Sequence, residues 1–154
     1  MRTYAKGERS RNMSETSEFY TIKGYERAEK NAVTNAMEDY LEMICRLGES
    51  GAPVRVKNLA EALHVTPSAV TKMTGQLRDG GYLKNEKYGY LALTPEGERL
   101  GSFLLLRHDT VNRLLCFLNR TENELEETEK VEHALSPRTV ENIRTFLGQV
   151  RFGK

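Results

Sequence analysis

Residues 59–77 read LAEALHVTPSAVTKMTGQL and decide the fold of the chain. Thr66 is a favourable N-cap and Pro67 suits the first helical position, so a helix should begin here. A shorter helix over residues 59–63 precedes it, and the few residues in between leave room only for a tight turn. The stretch therefore predicts a helix-turn-helix with the second helix in the recognition position.

The predicted recognition helix has two distinct faces. Val70, Met73 and Leu77 repeat at helical spacing and should be buried. The outer side carries short side chains and hydrogen-bond donors, which suit the base edges and phosphates of a major groove. The candidate DNA contacts on this side are Thr66, Pro67, Ser68, Thr71, Lys72 and Gln76.

A β-hairpin, or wing, should follow the recognition helix. Residues 82–84 and 90–93 read as two strands around a loop at 85–89, and 53–56 as a further short strand. Lys84, Lys87 and Tyr88 would lie at the tip of the wing, near phosphates. Some three-helix cores with a hairpin bind only protein, but the polar helix face beside a basic wing favours double-stranded DNA as the partner.

The rest of the chain predicts further helices, so the expected fold class is mainly α. One helix should start near Thr34 and stop near Gly48, and Thr94-Pro95 should open a helix of about 24 residues, roughly 35 Å long. An acidic helix and a last helix capped by Ser136 follow. Their broad apolar faces suggest a dimerisation module, because two symmetric DNA half-sites require a two-fold protein.

Size and composition set outer limits on the class of protein. The 154 residues carry a formal net charge of only +1. A DNA-binding surface would therefore require basic residues to cluster on one part of the protein. No apolar run reaches the ~20 residues of a membrane span, and the N-terminus has no signal-peptide core. The two cysteines are expected to be buried reduced thiols. We expect a cytoplasmic protein with neither a membrane partner nor an organic cofactor.

The first 33 residues differ in composition from the remainder. They mix charged and small polar residues with few apolar ones, which predicts a flexible N-terminal arm. Arg2, Lys6, Arg9 and Arg11 could follow a phosphate backbone, or the arm could be a purely solvated tail. The predicted organisation is an arm over 1–33, a winged-helix domain over 34–98 and a helical metal-binding and dimerisation domain over 99–154.

Six scattered residues could hold metal ions. If residues 129–133 are helical, Glu129, Glu132 and His133 share one face. Each of these observations also has a purely structural explanation. Residues 129–133 could form a solvent-exposed helix face, and His108 could be a structural residue. Asp39 and Glu42 could simply interact favourably with the positive end of a helix dipole. Taken together, they supply four carboxylates and two imidazoles without a thiolate, a set that suits Mn²⁺. Four carboxylates carry a charge of about −4, which two divalent cations would neutralise.

Several segments also resemble one known family. Residues 37–42 (MEDYLE), 59–73 (LAEALHVTPSAVTKM), 91–97 (LALTPEG), 107–108 (RH) and 131–136 (VEHALS) closely resemble the DtxR/MntR family of metal-dependent transcriptional repressors. The resemblance covers about residues 37–150. It implies a winged-helix DNA-binding domain joined to a helical metal-binding and dimerisation domain.

The resemblance further implies which branch and which ligands to expect. The iron-sensing branch has Met where this chain has Asp39 and Cys where it has Glu129, so the chain resembles the manganese-sensing branch. There the ligands of a binuclear site, two Mn²⁺ per subunit, would be Asp39, Glu42, His108, Glu129, Glu132 and His133. Glu42 and Glu132 would be the bridging carboxylates. Fe²⁺, Co²⁺, Cd²⁺ or Zn²⁺ could substitute. The long arm is not required by the family, and no SH3-like third domain is expected.

The expected function is a manganese-responsive regulator that represses metal-uptake genes as a homodimer. Metal would clamp the helix of Asp39 and Glu42 to the second domain and fix the spacing of the two recognition helices. One rival is a metal-independent winged-helix regulator of the MarR kind. Another is a di-metal hydrolytic enzyme, against which the sequence offers no candidate nucleophile or separate general base. We therefore expect no enzymatic activity.

Overall fold

The computed structural model describes residues 33–150, which belong to one compact unit. The predicted N-terminal arm, including Arg2, Lys6, Arg9 and Arg11, lies outside the described residues apart from Val33. The described helices are α1 (Asn35–Gly48), α2 (Val56–Leu63), α3 (Pro67–Asp79), α4 (Pro95–Asn119), α5 (Leu125–Val131) and α6 (Pro137–Gln149), with a 3₁₀ turn at Glu132–Ala134. The mainly α fold class is confirmed.

Four of these helices have an N-cap residue with a hydroxyl side chain. Thr34, Thr66, Thr94 and Ser136 each accept a hydrogen bond from the backbone N–H three residues later. Each bond satisfies one of the donors that a helix N-terminus leaves unpaired. Proline follows the cap of α3, α4 and α6, where its missing N–H costs nothing. The predicted starts of α1, α3, α4 and α6 are confirmed.

The helix-turn-helix is formed by α2 and α3. His64 ends α2 in the left-handed region, with φ of 54°, and the chain reverses within three residues before Pro67. The buried faces of α1, α2, α3 and α4 meet in one apolar core. Its buried members are Leu41, Ile44, Val54, Leu59, Ala60, Val70, Leu77, Leu83, Leu91 and Leu104.

The wing is less regular than the sequence predicts. The described residues contain isolated antiparallel bridges, Leu83 with Leu93 and Arg55 with Tyr90, instead of strands. Val56 belongs to α2 and not to a strand. Positive φ values at Tyr88 and Gly89, 66° and 72°, turn the loop, and the paired segments are too short to continue a ladder.

The acidic segment is also not the continuous helix that was expected. α5 ends at Val131, and Glu132–Ala134 form a 3₁₀ turn. A 3₁₀ turn has three residues per turn instead of 3.6, so it rotates later side chains relative to an α-helix. Glu129 therefore does not lie on one helical face with Glu132 and His133.

The long helix α4 packs against α1, α5 and α6. It thus reaches from the helix-turn-helix core to the C-terminal helices, and any side chain in its middle can face both. Val140 and Leu147 of α6 are buried, while Phe146 is 46% exposed. In the part of the chain that is described, helices that could span a bilayer are not found.

Gly97 in the first turn of α4 gives a prediction about wing attachment. A Cβ atom there would overlap the backbone carbonyl oxygen of Tyr82, which cannot rotate away. We expect Gly97→Ala to lower the free energy of unfolding by about 1–3 kcal/mol. Gly75→Ala is the matched control, since nothing lies within 4 Å of its Cβ position. That change should instead stabilise α3 by about 0.5–1 kcal/mol. Urea unfolding measures both, and equal effects would contradict the packing.

Candidate metal centre and nucleic-acid surface

The six candidate metal ligands lie in two groups of three. The first group is Asp39, Glu129 and His133; the second is Glu42, His108 and Glu132. Within each group, one potential ligand atom per residue lies within 4.8 Å of the others. α1 contributes one residue to each group, and the remaining four come from α4, α5 and the 3₁₀ turn. Residues almost a hundred positions apart are thereby gathered in one place.

The second group is buried. Glu42 is 7% exposed, His108 8% and Glu132 0%. His108 Nδ1 lies 3.4 Å from Glu132 Oε1 and 3.8 Å from Glu42 Oε1. The hydrogen bond with Glu132 raises the pKa of His108, although burial opposes the shift. The imidazole is thus held among carboxylates in a site with little water.

The first group is more open. His133 Nε2 lies 3.0 Å from Asp39 Oδ1, and Asp39 is partly exposed. Burial is the main cause that raises the pKa of Asp39, and also that of Glu129. The negative charge of Glu132 raises both pKa values further, which indicates that these carboxylates sit close enough to repel one another.

Glu129 is the carboxylate whose contacts reach both groups. Its Oε1 lies 3.5 Å from His108 Nδ1 of the second group, while its other ligand contacts belong to the first. Glu42, one of the two carboxylates expected to bridge, lies 3.8 Å from His108 Nδ1 of the second group and pairs with Arg46 Nη2 at 2.6 Å. Glu132 and His133, which are adjacent in the 3₁₀ turn, belong to different groups.

Two residues that the sequence analysis did not assign to the site lie inside it. Arg107 is 2% exposed, and its Nη2 lies 2.7 Å from Glu38 Oε2 and 3.1 Å from His133 Nδ1. Glu38 Oε2 is in turn 2.6 Å from His133 Nδ1. Glu38 and Arg107 each directly precede a candidate ligand in the sequence, and this position is the one sequence signal that could have identified them. A buried guanidinium beside several carboxylates balances part of their charge.

One oxygen in the second group lacks a hydrogen-bond partner. Glu132 Oε2 and Arg107 Nε are buried and form no hydrogen bond, although Glu132 Oε2 lies 3.9 Å from Arg107 Nε and 3.4 Å from His108 Nδ1. Leaving a buried carboxylate oxygen unpaired is costly, and a divalent cation would satisfy it. The donor set of carboxylate oxygens and imidazole nitrogens fits such an ion.

All nine candidate DNA contacts are exposed. They form two sets, one at the start and outer side of α3 and one on the wing: Thr66, Pro67, Ser68, Thr71, Lys72 and Gln76, then Lys84, Lys87 and Tyr88. Thr66 and Thr71 also bond locally, to Ala69 N and the Pro67 carbonyl. Tyr88 at the wing tip is 87% exposed. The surface combines a polar helix with basic flanks, as groove binding requires.

Both halves of the chain match profiles of known protein domains. Residues 32–91 match the profile "Iron dependent repressor, N-terminal DNA binding domain", and residues 94–153 match "Iron dependent repressor, metal binding and dimerisation domain". The HTH-type transcriptional regulator MntR of Lysinibacillus sphaericus (strain C3-41) is 41% identical over 111 residues, covering 71% of this chain and 80% of that protein.

Solved structures agree with the sequence matches. The manganese regulator SloR superposes with a TM-score of 0.65 at 32% identity, covering 74% of this chain and 54% of SloR. ScaR with bound Zn²⁺ gives a TM-score of 0.62 at 30% identity, covering 74% of this chain and 54% of ScaR. The chain therefore spans about half the length of these two structures.

The fold and the two clusters thus define a winged-helix protein joined to a metal-binding, dimerising module. The chain belongs to the iron-dependent repressor family, that is, the DtxR/MntR family of metal-dependent transcriptional repressors. This confirms the resemblance, and with it the interpretation as a metal-responsive transcriptional repressor that binds divalent metal. A metal-independent MarR-like regulator is not favoured, because residues 94–153 match a metal-binding domain. A di-metal hydrolase is not favoured, because the family consists of transcriptional repressors.

The buried arginine gives a prediction for the metal-free protein. Arg107→Met should lower the free energy of unfolding by about 3–5 kcal/mol, because it leaves buried carboxylates without their cation. Arg113→Met, on the same helix, removes an arginine that is 52% exposed and 3.7 Å from Asp109. Its effect should stay within about 0.5 kcal/mol. Denaturant unfolding with chelator present measures both, and similar costs at the two positions would show that Arg107 does not balance buried charge.

Proposed function

We propose that this chain is a manganese-responsive repressor that binds operator DNA as a homodimer when its two ligand groups hold Mn²⁺. The observation that carries the proposal is that α1 gives one residue to each group. Asp39 and Glu42 belong to the helix packed on the helix-turn-helix core, whereas their partners come from elements farther along the chain. Occupied groups would therefore tie the DNA-reading part to the rest of the molecule.

We propose the six clustered residues as metal ligands, with two ions per chain. Asp39, Glu129 and His133 would hold one ion, and Glu42, His108 and Glu132 the other. Glu129 reaches both groups and would be a bridging carboxylate in place of Glu42. Glu132, with an unpaired oxygen, would be the second bridge.

Charge explains why the groups need cations. Two carboxylates about 4 Å apart repel by roughly 4 kcal/mol in a partly screened setting. Four ligand carboxylates and Glu38 converge here, and the two arginines beside them, Arg46 and Arg107, supply only two positive charges. The bound ions would supply the missing positive charge, while the protein's residues hold α1 against α4 and α5.

Oxygen-rich donors favour Mn²⁺ over softer metals, and no cysteine belongs to either group among the described residues. Mn²⁺ is nevertheless the weakest binder of the divalent series, so selectivity must come from geometry and availability. The related ScaR was solved with bound Zn²⁺. We propose Mn²⁺ as the physiological ion, with Fe²⁺, Co²⁺, Cd²⁺ and Zn²⁺ as possible substitutes.

Each of the two proposed domains would have a separate role. A winged-helix domain over 34–98 would present α3 to a major groove and the wing to flanking phosphates. A helical domain over 99–154 would dimerise through apolar side chains that the monomer leaves exposed. Leu118 is 60% exposed, and Leu125 and Phe146 are each 46% exposed. A dimer places two recognition helices on successive half-sites, so their spacing determines whether both can bind.

Metal stoichiometry tests the ligand groups. The wild-type chain should bind two Mn²⁺ in calorimetry, and Asp39→Ala should bind at most one tightly. Asp109→Ala is the matched control, because Asp109 is exposed, adjoins His108 and belongs to neither group. At Mn²⁺ 100-fold above its Kd, the wild type should gain about 2.7 kcal/mol of stability for each occupied site, hence about 5.4 kcal/mol for two. Two tight sites in Asp39→Ala would overturn the ligand assignment.

DNA binding tests the proposed regulation. Selection from random duplexes should recover two-fold symmetric sequences with Mn²⁺ and none with chelator. Operator binding that ignores both would refute metal control. Lys87→Ala should weaken binding across all recovered sequences and reduce the slope of log affinity against log salt by about 1. Lys130→Ala, on the acidic helix, should leave that slope unchanged; equal effects of the two changes would remove the wing from the interface.

A further inference from the structure

We propose that Glu38 is a positioning residue that fixes the ring of His133 and directs its Nε2 atom into the first ligand group. The inference rests on the proposed function, in which His133 is a metal ligand. Glu38 is not itself a member of either group. It lies beside Asp39 on α1, and its side chain is 17% exposed.

The distances decide which nitrogen of His133 carries a hydrogen. Glu38 Oε2 lies 2.6 Å from His133 Nδ1, and an ionised carboxylate oxygen can only accept a hydrogen bond. Nδ1 is therefore a donor. The other ring nitrogen, Nε2, also faces a carboxylate, Asp39 Oδ1, but at the longer distance of 3.0 Å, so the single hydrogen of a neutral ring belongs on Nδ1. Nε2 and Asp39 Oδ1 are then two acceptors that face each other, and a metal ion bound by both would satisfy them. A carboxylate bonded to the far nitrogen of a ligating histidine sets both its tautomer and its orientation.

Arg107 holds Glu38 in this role. Guanidinium nitrogens only donate, so the 3.1 Å approach of Arg107 Nη2 to His133 Nδ1 is not a hydrogen bond when Nδ1 also carries hydrogen. Both donors instead converge on the same oxygen, Glu38 Oε2, at 2.7 and 2.6 Å. With that oxygen engaged twice, Glu38 is a poor candidate for metal binding and a good one for orientation.

The consequence is a second link between α1 and the C-terminal elements. Glu38 and Asp39 are adjacent on α1 and contact opposite nitrogens of one imidazole. Arg107 anchors the pair from α4. His133 is thus oriented by α1 before any ion is bound, which reduces the ordering that metal binding must supply.

The test uses the full chain with and without Mn²⁺. ¹⁵N NMR of the metal-free protein should show hydrogen on His133 Nδ1 in preference to Nε2, because the contact to Glu38 is shorter than the contact to Asp39. The chain has three histidines, so His64→Gln and His108→Gln variants complete the assignment. Glu38→Ala should lose that tautomer preference and bind Mn²⁺ about 10- to 100-fold more weakly. Glu38→Gln keeps an acceptor oxygen and should retain more of both properties.

Glu61→Ala is the control, since Glu61 is 65% exposed and paired only with Lys57 at 3.8 Å. If Glu38→Ala lowers stability but leaves the tautomer and the Mn²⁺ affinity unchanged, Glu38 is merely structural and the proposal is overturned. A wild-type chain that binds no Mn²⁺ would instead overturn the proposed function. In that case the tautomer alone decides whether Glu38 positions the ring.

Discussion

The structure depends on gathering four carboxylates around a limited amount of positive charge. Arg107 is buried, bonds Glu38 and lies 3.9 Å from Glu132, while His108 sits among three carboxylates of the two ligand groups. Because burial weakens solvent screening, each of these charges influences all the others. Burial is the main cause of the raised pKa values of Asp39 and Glu129, and repulsion from Glu132 raises both further.

The fold could be predicted well where local chemistry decides the structure. Thr66 followed by Pro67 starts a helix in almost any context, and the apolar spacing of Val70 and Leu77 determines which face is buried. The wing was predicted less well, because its pairing depends on tertiary contacts such as Leu91 N to the Val54 carbonyl at 2.9 Å. Strand propensity over so few residues cannot show where a ladder stops.

For the candidate metal site, the sequence predicted which residues take part but not how they are arranged. All six candidate ligands were expected from residue type and family resemblance, and the structure brings them together. Their division into groups was not predictable, since it depends on how α1, α4, α5 and the 3₁₀ turn pack against one another. Glu38 and Arg107 were missed because an acidic and a basic residue beside known motif positions usually face solvent. Only their burial and mutual distances distinguish them.

The coupling of metal to DNA can be understood through α1. Leu41 and Ile44 are buried in the core shared with the helix-turn-helix, while Asp39 and Glu42 face the ligand groups. A shift of α1 at the metal site would therefore also move it relative to the helix-turn-helix core. Since packed cores resist continuous deformation, a restraint on one face of α1 is transmitted to the other. If the two ligand groups bind metal as proposed, metal affinity and DNA affinity would change together, by the same coupling free energy.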